Sequence, residues 1–248
     1  MNFRQVSKYL DDCLIFGIKP SLVRIKKILE LLGNPHKKKD FIHVVGTNGK
    51  TSTTAMAASI MHGQGISCGY HISPHIGSYT ERFWSNGRNI SEKEFSSIFN
   101  KLYPYIQKVN KLELGGPITQ FEILTAMSFL FAEEKDLDVM VMEAGMGGRW
   151  DATNIADSLV VGFTGVSLEH TQILGNSITD IAKEKVEVIK EGAEVAVLSK
   201  DKKVLEVLKK KVASTGSRLY LQGKDFFIEN MKDKGFGYRL DLKGIKER

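Results

Sequence analysis

Short apolar runs alternate with helical patterns along most of this chain, and that alternation constrains the fold more than any other feature. Runs at 41–45, 67–72, 138–144, 158–164 and 194–198 have the length of buried strands, and segments at 50–63, 91–108, 120–135, 177–190 and 201–214 carry helical spacing. Strands linked through helices run parallel, and a strand covered on both faces reads as a continuous apolar run. The pattern predicts an α/β fold with a mostly parallel sheet flanked by helices. Residues 3–16 and 21–32 add two helical segments, broken at Pro20 and stopped by Gly33-Asn34-Pro35. After residue 215, "RLYLQGKDFFIENMKDKGFGYRLDLKG" predicts short strands, as antiparallel additions to the main sheet or as a small flap.

With 248 residues and 42% hydrophobic side chains, the chain can bury a core as one large domain or two small ones, and whole-chain disorder is excluded. Cys13 and Cys68 are too few for a disulfide framework and lack metal-ligand spacing, so they read as core thiols in a reducing compartment. "MNFRQVSKYLDD" has no apolar signal-peptide core, and no stretch approaches the roughly 18 apolar residues of a membrane span. A soluble, cytoplasmic protein is expected. The net charge of +6 resides in residues 200–248, with 14 Lys/Arg against 7 Asp/Glu. There "KDKKVLEVLKKKV" sets Val204, Leu205, Val207 and Leu208 among lysines, the pattern of an amphipathic helix with a solvated face. No aromatic residues interleave with these lysines, so neither a nucleic acid nor a membrane is an expected partner.

The first strand-to-helix junction reads "FIHVVGTNGKTSTT". Its spacing is shorter than the common phosphate-loop signature, but its chemistry is of the same kind. Gly46, Thr47, Asn48 and Gly49 let the backbone turn its N–H groups inward, and a helix starting near Lys50 would direct its positive end at the same space. Lys50 would meet a terminal phosphate, and the hydroxyl of Thr51, followed by Ser52, could reach a magnesium ion. The other reading is an ordinary turn with an exposed lysine.

"DVMVMEAGMGGRWDATN" places Glu143 at the end of an apolar strand, at the carboxyl edge where ligands bind in open α/β sheets. Such a carboxylate can hold Mg²⁺. The following glycines leave Arg149 and Asp151 beside the site, or simply as a surface pair. In "HISPHIGSYTER", Ser73 lies between His71 and His75, without the cysteine partners or dense ligand cluster of a zinc site, so a substrate loop is preferred. Glu169-His170 and Lys185 would, on their residue types alone, be structural or solvated. No nucleophile elbow and no Cys-His motif favours covalent hydrolysis.

Taken in order, "GIKPSLVRIKKILELLGNP", "GTNGKTS", "HISPHIGSYTERFWSNGRNIS", "FEILTAMSFLFAEEKDLDVMVMEAGMGGRWDATN" and "HTQILGNSITDIAKEKVEVIKEG" resemble successive blocks of the Mur ligase superfamily, in its folate branch of folylpolyglutamate and dihydrofolate synthases. The resemblance implies ATP and Mg²⁺ as cofactors, with Gly46 to Ser52 holding the nucleotide and Lys50 acting on its phosphates. It implies Thr51, Ser73, Glu143, His170 and Lys185 around the metal, Lys185 matching a lysine carbamylated in many members. Phe121, Arg149 and Asp151 would meet the pteridine substrate, although a lone Phe in a helical pattern is also an ordinary core residue. The implied reaction adds L-glutamate to folate or dihydropteroate through an acyl phosphate, in a monomer acting on small molecules.

The resemblance further implies one Mur-ligase-like ATP-binding domain over residues 1–248, incomplete at its C-terminal end, with the family's glutamate-ligase domain outside the chain. A binding module without turnover is therefore the alternative. Thr51-Ser52 departs from the Gly-Ser usual in the folate branch and leaves another Mur-type ligase open. Glu169 stands for the usual Asp, and Glu191 for a proline.

Overall fold

The computed structural model describes residues 1–17 and 19–244. In chain order the elements are α1 (Phe3–Asp12), α2 (Val23–Leu31), β1 (Asp40–Val45), α3 (Lys50–Gly63), β2 (Cys68–His71), β3 (Phe83–Ser85), β4 (Arg88–Asn89), α4 (Glu92–Asn110), α5 (Gln120–Glu134) and β5 (Val139–Glu143). They continue with β6 (Val160–Phe163), α6 (Thr171–Leu174), α7 (Ile178–Lys185), β7 (Glu194–Val197), α8 (Lys202–Thr215), β8 (Arg218–Leu221), β9 (Phe227–Asp233) and β10 (Tyr238–Lys243).

Eight strands form one sheet in the order β4-β3-β2-β5-β1-β6-β7-β8, with every pair from β2 to β8 parallel. The five apolar runs are β1, β2, β5, β6 and β7, as the alternation requires. The chain leaves β1 toward β2 on one side and reaches β6 on the other, so β1 is the topological switch point. In open α/β sheets the ligand crevice lies there, beyond the carboxyl ends of the strands. Register confirms the alignment of those ends, with Val44 of β1 beside Glu143 of β5 and Val45 beside Phe163 of β6.

Side-chain alternation divides the core between the sheet's faces. Phe41, Met140 and Met142 pack with residues of α1, α2, α4 and α5, including Leu10, Leu29, Phe99 and Phe129. Val45, Val161, Phe163 and Val195 meet Ala182, Val204 and Leu208 from α7 and α8. Val44 and Val141, on the opposite face, pack against Ala58 of α3. Helix α5 is buried nearly all round. Its start is fixed by the Thr119–Glu122 capping box, which aims the first turn and Phe121 at the sheet's carboxyl edge.

Three features differ from the sequence pattern. Helical segments 3–16 and 177–190 each end in a 3₁₀ turn, Cys13–Phe16 and Val186–Val188. Strand β8 joins the main sheet parallel rather than antiparallel, because helix α8 carries the chain back across before it pairs. Strands β9 and β10 form the antiparallel pair expected near the C-terminus, as the small separate flap rather than as part of the main sheet, whose antiparallel members are the short β3 and β4. In α8, Val204 and Leu208 are buried and Lys202, Lys203, Lys209 and Lys210 face solvent, as the amphipathic pattern requires. No helix among the described residues is long and apolar enough to cross a membrane.

Candidate active site

The loop between β1 and α3 is clamped by the segment after β6. Thr47 N–H donates to the Gly165 carbonyl at 2.9 Å, and Thr164 Oγ1 donates to the Asn48 carbonyl at 2.7 Å. Gly46 adopts φ 153°, and a Cβ there would lie 1.9 Å from Thr164 Oγ1, so only glycine fits. Gly49 caps α3 in a left-handed conformation with no side-chain hydrogen bond, and the first turn of α3 carries no acidic residue. Its leading N–H groups and positive dipole end therefore remain available for an anion. Lys50 Nζ folds back onto the Thr47 carbonyl at 2.9 Å, over the loop it would serve. Asn48 and Ser52 are exposed beside it.

Glu143 closes one side of this space. It is 2% exposed, and Thr51 Oγ1 lies 2.9 and 3.0 Å from its two oxygens. Ser73 reaches the same carboxylate through its backbone N–H at 3.0 Å, not through its hydroxyl. Burial pushes the Glu143 carboxyl above its ordinary range, against the opposing pull of these two donors and the Lys50 charge. A buried carboxylate paired with a hydroxyl is a hard-oxygen donor set, and it fits Mg²⁺. Among the described residues no cluster of three or more His, Cys, Asp or Glu side chains could hold a metal by itself, so such an ion would also need ligands from a bound nucleotide or water.

Lys185 is 1% exposed. Its Nζ donates to the Gly46 carbonyl at 2.8 Å and to Glu169 Oε1 at 2.6 Å, and Thr47 Oγ1 adds a hydrogen bond to the same carboxylate oxygen at 3.0 Å. Burial pushes the Lys185 amine down, opposed by Glu169. Burial also raises the Glu169 carboxyl, but the Lys185 and Thr47 hydrogen bonds and nearby Lys50 outweigh it and leave it below the ordinary range. The lysine matched to the metal site thus braces the phosphate loop from beneath. His170, in a left-handed conformation before α6, is exposed, and among the described residues its ring makes no hydrogen bond to Thr51, Ser73 or Glu143, which the structure does gather.

Beside this junction lies a cavity of about 520 Å³. Phe121 forms part of its wall, packed so closely over Gly145 that a Cβ there would lie 2.5 Å from the ring. Asp151 also lines it, but its carboxylate accepts from Met146 N–H at 2.7 Å, Thr153 N–H at 3.0 Å and Thr153 Oγ1 at 2.5 Å. Burial raises the Asp151 carboxyl, and those donors pull the other way. Arg149 turns away, with Nε 3.4 Å from Glu184 and Nη2 3.7 Å from Glu187. The Arg24–Glu122 ion pair at 3.0 Å, buried at the start of α5, was missed from sequence. A charged residue on the apolar stripe of each helix was its available signal.

A short phosphate loop at the switch point of a parallel sheet, with a buried carboxylate on the adjacent strand, defines a phosphate-loop α/β domain. The chain belongs to the Mur ligase middle domain family, whose model matches residues 44–244. It is similar to the dihydrofolate synthase/folylpolyglutamate synthase of Bacillus subtilis, 38% identical over 84% of this chain and 48% of that protein. It also resembles the Mycobacterium tuberculosis folylpolyglutamate synthase complexed with ADP and AMPPCP, with TM-score 0.90 and 31% identity over 97% of this chain and 54% of the other. An FPGS-AMPPCP-folate complex gives TM-score 0.91 and 29% identity, covering 98% and 60%. The chain spans about half the length of the curated relatives it matches.

Proposed function

We propose that this chain carries the nucleotide and acceptor sites of a cytoplasmic ATP-dependent ligase that joins L-glutamate to folate or dihydropteroate. The observation that carries the reading is the junction of Thr51, Glu143 and the Ser73 N–H, set between the phosphate loop and the Phe121-lined cavity. A carboxylate is a poor electrophile. Transfer of the terminal phosphoryl group of ATP to an acceptor carboxylate oxygen, with ADP leaving, makes an acyl phosphate; glutamate's amine then attacks the carbonyl carbon, loses a proton and expels phosphate. Bound Mg²⁺ would neutralise phosphate charge, held by Thr51 and Glu143; the family resemblance adds Ser73 and His170, and Lys185 only once carbamylation has turned its ammonium into an anionic oxygen donor.

The α3 N-terminus and Lys50 hold the phosphates in line, while Phe121 offers an aromatic face to a flat ring. Arg149 and Asp151 border the acceptor side, Asp151 by fixing the 146–153 loop. The partners are small molecules acting on a monomer, with no nucleic acid or membrane.

The test measures ADP formation with Mg-ATP, glutamate and either dihydropteroate or tetrahydrofolate, for this chain and Lys50→Ala, beside calorimetric titration of Mg-ADP. Acceptor- and glutamate-dependent ADP formation, lost in Lys50→Ala, is expected. ADP formation indifferent to both, or nucleotide binding with no acceptor binding, would overturn the reading.

A further inference from the structure

Arg82 is a buried cation with no carboxylate of its own. It is 6% exposed, yet it makes no ion pair among the described residues, whereas the other deeply buried arginine, Arg24, is matched by Glu122. Its Nε donates to His75 Nδ1 at 2.8 Å, and its guanidinium carbon lies 5.3 Å from the centre of the Tyr79 ring. The two terminal nitrogens donate to no protein group among the described residues, and they are not sealed in protein either. Arg82 lines the cavity that Ser73 and Phe121 also line.

The mount beneath Arg82 is rigid. Tyr79 Oη donates to Asp11 Oδ1 at 2.6 Å and accepts from Gln120 Nε2 at 2.7 Å. The Arg82 carbonyl accepts from Ile72 N–H at 3.1 Å and lies 3.3 Å from His71 Nδ1. Asp11, the nearby acid on this side, is thus engaged by Tyr79, while Glu143 is held by Thr51 and Ser73. Burying a guanidinium without an acidic partner is unfavourable unless an anion completes it. Its planar fork, with both outer nitrogens free, matches a carboxylate in a bidentate pair.

We propose that Arg82 is the receptor for the acceptor's carboxylate, holding the group that receives the phosphoryl transfer against the Thr51–Glu143 junction. The inference deepens the ligase reading above and rests on it. The phosphates have their own donors in the α3 N-terminus and Lys50. Arg82 stands on the acceptor side of Glu143, where Phe121 would hold the ring and the cation would fix the opposite end. It binds and orients substrate, and moves no proton.

The experiment compares Kd values for dihydropteroate and for its carboxamide, which keeps the rings and lacks the charge, together with Kd for Mg-ADP. It uses the whole chain, Arg82→Gln and Arg82→Lys. The unaltered chain should prefer the acid over the amide by about 10- to 100-fold, the worth of a charge-assisted pair. Arg82→Gln should abolish that preference, Arg82→Lys should restore part of it, and Mg-ADP binding should stay unchanged in both. Equal binding of acid and amide by the unaltered chain overturns the proposal without recourse to any variant. Persistence of the preference in Arg82→Gln overturns it too, and so does a loss confined to Mg-ADP, which would make the phosphate the anion. If the unaltered chain binds Mg-ADP but neither pteridine compound, the ligase reading itself fails and takes this inference with it.

Discussion

Gly46→Ala tests whether the phosphate loop is held in one shape by the strand beside it. Two separate penalties apply. The native φ of 153° is disfavoured for any L side chain, which costs about 1–3 kcal/mol. The new Cβ would lie 1.9 Å from Thr164 Oγ1 and 3.0 Å from the Gly165 carbonyl, an overpacking worth another 1–3 kcal/mol or so. Together they predict about 2–6 kcal/mol, which for a chain of this size lowers Tm by about 2–4 °C per kcal/mol. Thr164→Ala separates the two terms. Alone it costs about 1 kcal/mol, since the Asn48 carbonyl loses its donor. Combined with Gly46→Ala it removes the shortest contact, so the double variant should be more stable than additivity by about 1–2 kcal/mol while the backbone penalty remains. Thermal melts of all four chains, read with Mg-ADP titrations, supply the cycle. An unshifted Tm for Gly46→Ala, or strict additivity of the two substitutions, would refute the reasoning.

Thr51→Val removes the hydroxyl donor to a buried carboxylate; it should cost about 1–2 kcal/mol and weaken Mg-ADP binding in calorimetry, while Thr51→Ser restores both. Lys185→Met strands the Gly46 carbonyl and Glu169. Because the Glu169 side chain is 21% exposed and water can reach it, the loss in urea melts should be about 2–3 kcal/mol, below the full value for breaking a buried pair. His43 and His71 are fully buried and held neutral by desolvation, with pKa values lowered to about 3. The unfolded chain takes up their protons first, so their contribution is fully present above about pH 6.5 and is lost as pH falls toward 3, at up to about 1.4 kcal/mol per pH unit for each histidine. His43→Gln should remove one proton's share of that slope in urea melts between about pH 6 and pH 4, and an unaltered slope would sink the assignment.

The fold was legible where the hydrophobic period was unambiguous. Five apolar runs became five parallel strands because each is too short for a helix and buries at least one whole face in the core. The short β3 and β4 had no such signal. Phe83-Trp84-Ser85 and Arg88-Asn89 become strands by pairing with β2 and with each other, a tertiary event that local pattern does not encode. The parallel course of β8 was readable in principle, since α8 before it is long enough to carry a crossover.

The site divides along a similar line. Lys50, Thr51 and Glu143 lie at or next to the ends of strands, so chain order and the switch-point rule place them in one crevice. Thr164 also follows a strand, β6, but nothing in its local sequence marks its bond to the Asn48 carbonyl, and Arg82 reaches the cavity from a 3₁₀ turn whose sequence resembles any polar loop. Lys185 is a different case, because its signal was present and outweighed. In "ITDIAKEK" the apolar stripe runs through Ile178, Ile181 and Ala182, and Lys185 follows at helical spacing, on the buried side, while Lys183 falls outside it and is exposed. A lysine on that stripe must desolvate its amine, and burial does lower it. Such a position persists only with strong acceptors within reach, here the Gly46 carbonyl and Glu169. Judged by composition the segment is a charged surface helix; judged by phase, its last lysine points at the nucleotide loop.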